Sequence, residues 1–222
     1  MIAALTTRAV VEQVVLVRGR RLVPPLSKLV ATHKRVLELE RDEFESLSSS
    51  AEPAGIGAVV RMPWAELPER PKRGPWLCFE SVRSYGNLGS ALRSAVAFEA
   101  GGVAILGDAL DPFDPAVVRA TMGAIFHVPI VRTDPIALRR WCRRQRALII
   151  GTSAKGRTDL RDLRVQPPSV LMIGHERGGM SELQRELCDD VVRIPISARV
   201  DSLNLATATT VLLYESWWRS AG

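Results

Sequence analysis

From residue 76 onward, short and almost purely apolar runs alternate with segments of helical periodicity, and this alternation limits the chain to few folds. Apolar runs of four residues predict strands that are buried on both faces, which is typical of parallel sheets covered by helices. The predicted strands are Trp76–Phe79, Val103–Leu106, Ala147–Ile150, Val170–Ile173 and Val191–Ile194. The predicted helices are Leu88–Ala100, Pro115–Gly123, Pro135–Gln145, Ser181–Cys188 and Leu203–Trp218. We therefore expect an α/β domain with a mainly parallel sheet.

The part of the chain before this domain has a different composition. Four prolines among basic residues occupy 63–75, and proline interrupts both helices and central strands. The sequence thus predicts a small N-terminal α+β module at 1–62, a linker at 63–75 and the larger domain at 76–222. In the module we expect strands at Val14–Val17 and Ile56–Arg61, with one or two charged amphipathic helices across Leu26–Leu47.

Charge gives a first indication of the partner. The chain has 222 residues with 30 Lys and Arg against 24 Asp and Glu, a formal net charge of +6. A basic balance favours polyanions, above all nucleic acid, although an arginine-rich proteome explains it equally well. Apolar residues make up 46% and the only cysteines are Cys78, Cys142 and Cys188, which excludes a disordered chain and a disulfide scaffold. No apolar run is long enough to span a bilayer, so no membrane association is expected.

Several common catalytic motifs are missing from the sequence. It has no G-x-G-x-x-G after a strand, no G-K-[ST], no C-x-x-C and no G-x-S-x-G. His33, His127 and His175 share no spacing typical of metal ligands, so we expect no metal site.

Three polar segments each follow a predicted strand or begin a predicted helix. Asn87 begins an N-x-G-x-x-x-R segment that ends at Arg93, and Asn87 by itself could simply be a helix N-cap. Glu176 lies in a G-x-E-x-x-G loop after Val170–Ile173, where glycine allows the backbone to approach a ligand closely. Ser202 and Asn204 precede the last helix, where Ser202 could act as its cap.

In this order and spacing, the three segments resemble the three motifs of the SpoU-type RNA ribose methyltransferases, members of the SPOUT superfamily. The resemblance covers roughly residues 75–220. It implies a deep C-terminal trefoil knot, a homodimer and S-adenosylmethionine as the cofactor. The implied reaction is methyl transfer to a ribose 2′-hydroxyl of structured RNA in the cytoplasm, with 23S ribosomal RNA favoured over tRNA.

The resemblance also implies roles for individual residues. Arg93, Asn87, Glu176, Asn204 and Ser202 match the catalytic positions. A guanidinium stays protonated in proteins, so Arg93 is expected to clamp a phosphate and stabilise developing negative charge. Asn87 and Asn204 would orient the substrate and Arg93, and Glu176 would hold this network. The positions implied for cofactor binding are Thr152, Gly174, Ile194, Ile196 and Leu203.

Some features of the chain leave alternatives open. His175 stands where the family more often has a small or amide residue, and Ala198 stands where many members have a glycine. The N-terminal module resembles a shortened ribosomal-protein-like RNA-binding domain, so it and the basic run could contact RNA. A solvated helix face is the other interpretation of that run, which comprises Arg132, Arg139, Arg140, Arg143, Arg144 and Arg146. The aromatic residues Tyr214, Trp217 and Trp218 suit either a dimer interface or packing within the chain. A catalytically silent RNA-binding homologue and a small-molecule methyltransferase are the competing functions.

Overall fold

A computed structural model gives the fold of the chain. It describes all residues except Arg8, Arg73, Asp108, 164–167, Glu176 and Gly222, and of 219–221 it describes the helical backbone alone. The chain divides into two compact units, Met1–Pro63 and Trp64–Gly222.

The first unit is a small α+β module around a sheet. In chain order its elements are α1 (Ile2–Thr6), β1 (Val11–Val17), α2 (Leu26–Ala31), β2 (Val36–Leu39), α3 (Arg41–Leu47) and β3 (Ile56–Val60). The strand order is β2-β1-β3, with β2 parallel and β3 antiparallel to β1. The side chains of Val14, Leu16 and Val30 form its buried core.

The predicted helices across Leu26–Leu47 are wrong in the middle of that segment. Residues Val36–Leu39 form an edge strand that pairs with Val14–Val17, and the helix α3 begins only afterwards, with a capping box between Glu40 and Glu43. An exposed edge strand carries charged side chains, as an amphipathic helix does. Pairing with a distant strand therefore decided the conformation of this segment.

The second unit is an α/β domain. Its elements are β4 (Trp64–Ala65), β5 (Trp76–Phe79), α4 (Tyr85–Ala97), β6 (Gly102–Ile105), α5 (Pro115–Ala120), β7 (Ile130–Arg132), α6 (Pro135–Gln145), β8 (Leu148–Thr152), β9 (Thr158–Asp159), β10 (Ser169–Ile173), α7 (Glu182–Leu187), β11 (Asp190–Arg193) and α8 (Leu205–Ala221). The strand order is β4-β7-β6-β5-β10-β8-β11-β9, and every pairing found is parallel. This confirms the predicted fold class.

In this domain the sequence interpretation missed three strands. They are β4, β7 and β9, which have two or three residues each. Such runs are too short to show a period. Strand β4 lies in the predicted linker 63–75, so two residues of that segment contribute to the sheet. There the Trp64 ring contacts the Phe113 ring edge-on, with centroids 4.8 Å apart.

The sheet is covered on both faces. Helix α4 packs against α5 and α8 beside one buried cluster that includes Leu77, Phe79 and Leu92. A second cluster contains Trp76 with Trp141 and Cys142 of α6. The three cysteines are free, and burial raises the pKa of the thiols of Cys142 and Cys188 to about 12, so both are protonated at neutral pH.

The strand order also determines where a ligand can bind. From β5 the chain passes through α4 to β6 on one side, whereas from β10 it passes through α7 to β11 on the other. Parallel sheets bind ligands at such a reversal, outside the carboxyl ends of the strands. The crevice beyond β5 and β10 is therefore the expected site.

A partly buried ion pair joins α6 to the start of β11. The Asp189 carboxylate lies 2.8 Å from Arg139 Nη2 and accepts a hydrogen bond from the Ile149 backbone N–H at 2.8 Å. Burial alone would raise the pKa of Asp189. The hydrogen bonds from Arg139 and Ile149 and the charge of Arg139 outweigh burial, and the pKa lies below its ordinary value.

We expect Asp189→Ala to lower the free energy of unfolding by about 2–3 kcal/mol, because the Ile149 N–H loses its acceptor and the partly buried Arg139 guanidinium keeps only the Leu187 carbonyl. Asp189→Asn should cost less, since its amide oxygen still accepts from Ile149. Urea unfolding at neutral pH measures both.

Because the folded-state pKa of Asp189 is depressed, the stabilisation is complete above the unfolded pKa of about 3.9 and disappears as the pH falls through the folded value. The difference in free energy of unfolding between wild type and Asp189→Asn should therefore become smaller below about pH 4. A difference that does not change with pH would contradict a stabilising ion pair between Asp189 and Arg139.

Candidate active site

Three loops at the carboxyl edge of the sheet enclose one cavity of about 420 Å³. They follow β8, β10 and β11. All five residues implied for cofactor binding line this cavity, and so does Ser202: the five are Thr152, Gly174, Ile194, Ile196 and Leu203. Because parallel strands end at the same edge, these positions meet here although Thr152 and Leu203 are 51 residues apart in the sequence. The lining combines apolar side chains with polar and basic ones, among them Lys155, Arg177 and Arg185.

The loop after β10 is folded back on itself. The backbones of His175 and Gly179 exchange two hydrogen bonds, at 2.8 and 3.0 Å. His175 Nδ1 also accepts hydrogen bonds from the backbone N–H groups of Arg177, at 3.1 Å, and Gly178, at 3.3 Å. A nitrogen that accepts carries no proton, so this geometry requires the tautomer protonated at Nε2.

Two glycines are required by the shape of this loop. A Cβ atom on Gly174 would lie 2.5 Å from the carbonyl carbon of Gly179 and 2.6 Å from the nitrogen of Met180. Both atoms belong to the backbone, so no side-chain movement could relieve the contact. Gly179 has φ of +66°, in the region that favours glycine.

Helix α7 fixes the far end of the same loop. Ser181 caps this helix and forms a capping box with Gln184, whose buried side chain donates from Nε2 to the Ile173 carbonyl at 3.1 Å. The Ser181 hydroxyl donates to the Glu80 carboxylate, just beyond β5, at 2.7 Å. The loop is thereby anchored to the ends of two central strands.

Asn87 and Asn204 come together at the N-termini of α4 and α8. Asn204 Nδ2 donates to Asn87 Oδ1 at 2.9 Å across 117 positions of sequence. Further along the two helices, the hydroxyls of Ser94 and Thr210 are 2.7 Å apart. The structure thus connects the first and third polar segments directly.

Both capping roles considered for these segments are wrong. Ser84, and not Asn87, caps α4, since its hydroxyl accepts from the Asn87 N–H at 3.3 Å. Asn204, and not Ser202, caps α8, since its Oδ1 accepts from the Ala206 N–H at 2.9 Å. Serine and asparagine are both good caps, and each segment contains both, so the sequence could not discriminate between them.

A second cavity, of about 470 Å³, lies beside the first. It is lined by Arg83, Ser84, Asn87, His175 and Arg177, and the last two of these line both cavities. Sequence reasoning missed Arg83 and Arg177. The signal that could have found them is a basic residue in each of the loops that follow the two adjacent strands β5 and β10.

Arg93 occupies a different position from the other predicted residues. It lies on the exposed face of α4, about 9 Å along the helix axis from Asn87, and lines neither cavity. Among the residues that the structure describes, its guanidinium has no hydrogen bond or ion pair. Glu176 lies outside the described residues.

The SpoU rRNA Methylase family model matches residues 75–214. The chain belongs to this family. Among curated relatives, the 23S rRNA (uridine(2479)-2′-O)-methyltransferase of Streptomyces viridochromogenes is 38% identical over 74% of this chain, and the match spans 60% of that relative. A 23S rRNA (guanosine-2′-O-)-methyltransferase of Vibrio cholerae is 29% identical, with 88% of this chain and 83% of the relative aligned.

Solved structures of SpoU methyltransferases have the same fold. The enzyme AviRb of S. viridochromogenes, in complex with the cofactor AdoMet, matches with a TM-score of 0.89 and 31% identity, over 100% of this chain and 87% of that one. An AdoMet-bound rRNA methyltransferase from Sinorhizobium meliloti matches with a TM-score of 0.83 and 29% identity, over 97% and 82%.

The basic run of this SpoU family member is not one continuous face. Arg132 lies over the Trp64 ring, 4.6 Å from its centroid, and Arg139 is paired with Asp189. Arg140, Arg143, Arg144 and Arg146 are exposed. Helix α6 returns the chain to the start of β8, so its last arginines lie at the edge of the sheet opposite the two cavities.

The described residues contain neither a candidate membrane-spanning helix nor a candidate metal site. No helix within the described part of the chain is both long and apolar enough to cross a bilayer. Among those residues, no group of three or more His, Cys, Asp and Glu side chains is arranged to hold a metal ion.

Proposed function

We propose that this chain is an S-adenosylmethionine-dependent RNA 2′-O-ribose methyltransferase that acts on 23S ribosomal RNA. One observation carries the proposal: the five positions implied for cofactor binding line a single cavity, next to the polar pair Asn87–Asn204. The names of the relatives support both the reaction and the substrate.

The cavity fits the cofactor in size and chemistry. Small-molecule sites typically have volumes of about 300–1,000 Å³, with mostly apolar walls and a few well-placed polar groups. Ile194, Ile196 and Leu203 provide apolar walls, and the loops provide backbone donors and acceptors. Gly174 allows the backbone of Gly179 and Met180 to pack closely against it, which keeps the loop that lines the cavity in this shape. When bound, S-adenosylmethionine supplies an electrophilic methyl group on a sulfonium sulfur.

The chain's own residues must hold and activate a ribose hydroxyl, which is a poor nucleophile while it keeps its proton. Asn204 is committed to capping α8 and to binding Asn87, so it fixes the orientation of the Asn87 amide. In this proposal Asn87 orients the substrate, while Ser202 lies at the cavity wall. Arg93 holds a phosphate and stabilises the developing oxyanion. A guanidinium cannot accept the hydroxyl proton, which leaves to solvent water as the methyl group is transferred. Glu176 keeps its proposed role in holding this network.

A homodimer is part of the proposal. Tyr214 and Trp218 of α8 are stacked and 48% and 62% exposed, and Tyr214 and Trp217 both also contact Phe98 within the chain. Large exposed aromatic side chains are enriched at interfaces. Arg93 lies outside the cavities of its own chain, which suits a site completed near a subunit boundary. The trefoil knot and a cytoplasmic location are proposed from the likeness to SpoU enzymes.

The length of the matches favours ribosomal RNA over tRNA. The S. meliloti structure, which is named an rRNA methyltransferase, aligns with 97% of this chain, whereas a structure concerned with 2-OH methylation of C/U34 on tRNA aligns with 67% of it, with a TM-score of 0.60.

Transfer of a tritiated methyl group to total ribosomal RNA and to tRNA, followed by mapping of the labelled nucleotide, tests the function. We expect label on a ribose of 23S rRNA. Label on tRNA alone would support the tRNA alternative. Calorimetry with the cofactor separates an enzyme from a silent RNA-binding homologue, because absence of binding at millimolar cofactor would contradict the enzyme.

His175 offers a specific test of the cofactor loop. In His175→Ala, the N–H groups of Arg177 and Gly178 lose their acceptor, and we expect cofactor affinity to fall about tenfold, since each such bond contributes about 0.5–1.5 kcal/mol. His175→Asn provides an amide oxygen as acceptor and should bind within about threefold of wild type. Calorimetry measures both variants, and equal losses in the two would argue against this role of Nδ1.

A further inference from the structure

We propose that the second cavity binds a phosphodiester group of the RNA strand, with Arg83 and Arg177 as its ligands. The inference rests on the proposed function for the identity of the polymer. It assigns a role to two arginines that none of the three motifs specifies, since Arg83 precedes the first motif and Arg177 occupies a variable position of the second.

The chemistry of the lining favours an anion. Arg83 and Arg177 are exposed and permanently charged, and Ser84, Asn87 and His175 add hydrogen-bonding side chains. All five described lining residues are polar, and none of them is acidic. Guanidinium groups bind phosphate oxygens through paired hydrogen bonds, which makes arginine the preferred residue for such sites.

The position of the cavity favours a phosphate that belongs to a nucleotide chain. His175 and Arg177 line both cavities, so a group bound in the second lies next to the cofactor cavity. Each ribose in RNA is flanked by two phosphates. A nucleotide whose 2′-hydroxyl reaches the cofactor cavity therefore brings a phosphate into the adjacent space.

This site is separate from the phosphate contact proposed for Arg93, which lines neither cavity. The two contacts would hold the backbone at different points. Phosphate contacts of this kind position the strand and carry no sequence information. The cavity therefore determines where along the strand the reacting ribose is held.

Binding of a fluorescein-labelled, mixed-sequence RNA 20-mer, measured by anisotropy with cofactor present across a range of salt, tests the site. We expect Arg83→Gln and Arg177→Gln each to weaken RNA binding about fivefold at low salt and to reduce the slope of log K against log salt by about 0.7, the value for one phosphate contact with a single strand. Arg83→Lys and Arg177→Lys keep the charge and serve as matched controls, with the wild-type slope expected.

Calorimetry with the cofactor shows whether a variant has remained folded and competent. Arg83 lines the second cavity but not the first, so Arg83→Gln should bind cofactor as wild type does. Wild-type affinity and slope in both glutamine variants would overturn the proposal. A second outcome would also overturn it: Arg83→Gln binds RNA as wild type does but loses affinity for inorganic phosphate. The cavity would then bind the free phosphate ion and not a phosphodiester of RNA.

The outcome is independent of the methyl-transfer assay. A wild-type protein that methylates RNA, with glutamine variants that bind RNA normally, overturns the cavity assignment alone. A wild-type protein that transfers no methyl group, while its variants lose RNA affinity as expected, overturns the proposed function alone.

Discussion

Arg93→Ala is expected to lower the rate of methyl transfer at least about 10³-fold, because it removes the proposed stabiliser of negative charge on the ribose oxygen. The side chain is exposed and has no partner among the described residues of its chain, so its removal should leave the fold and the cofactor cavity intact. Cofactor affinity, measured by calorimetry, should therefore stay within about twofold of wild type, since no cavity contact is lost.

Ser90→Ala is the matched control for Arg93. Ser90 lies one turn earlier on the same exposed face of α4 and carries none of the proposed chemistry. We expect near wild-type transfer from this variant. A loss of cofactor affinity in Arg93→Ala, or unchanged transfer, would contradict the role assigned to the guanidinium.

Gly174→Ala is expected to weaken cofactor binding by about 10- to 100-fold, because overpacking of this kind typically costs about 1–3 kcal/mol. The added methyl group would lie 2.5 Å from the Gly179 backbone and could be accommodated only by moving the loop that lines the cavity. Calorimetry with the cofactor measures the effect, and the Tm should fall as well.

Gly178→Ala, in the same loop, separates a steric effect from a general sensitivity to substitution. A Cβ on Gly178 would meet no atom closer than His175 Nδ1, at 4.0 Å, and this glycine does not need a positive φ. We expect this variant to bind cofactor normally. Equal affinities for the Gly174 and Gly178 variants would show that the close approach at Gly174 does not shape the cavity.

The agreement between sequence and structure depends on how each strand is buried. Trp76–Phe79 and Val170–Ile173 were predicted as strands because central strands of a parallel sheet are covered on both faces and consist of apolar residues. Val36–Leu39 was mistaken for part of a helix because an exposed edge strand can carry the same charged side chains as an amphipathic helix. Short strands such as Trp64–Ala65 exist only because a partner strand accepts their hydrogen bonds.

In the candidate site, too, local patterns could be predicted and contacts between distant segments could not. The family resemblance came from three motifs taken together in order: the segment from Asn87 to Arg93, the loop around Glu176 and the segment from Ser202 to Asn204. The capping roles considered for Asn87 and Ser202 are wrong, because the path of the chain into each helix places Ser84 and Asn204 at the N-cap positions. No motif specifies an arginine at position 83 or 177, and the two were found only once their loops were placed side by side.

The sequence by itself determined the α/β class, the buried strands and the resemblance to the family. Each buried strand is a short run of consecutive apolar residues, and each motif is a short segment whose order along the chain can be read directly. Only the tertiary structure decided that Asn87 contacts Asn204, that Gly174 faces the backbone of Gly179, and that Arg83 and Arg177 share a cavity with His175. These contacts join segments through the order of parallel strands, and strand order depends on long-range pairing that no local pattern encodes.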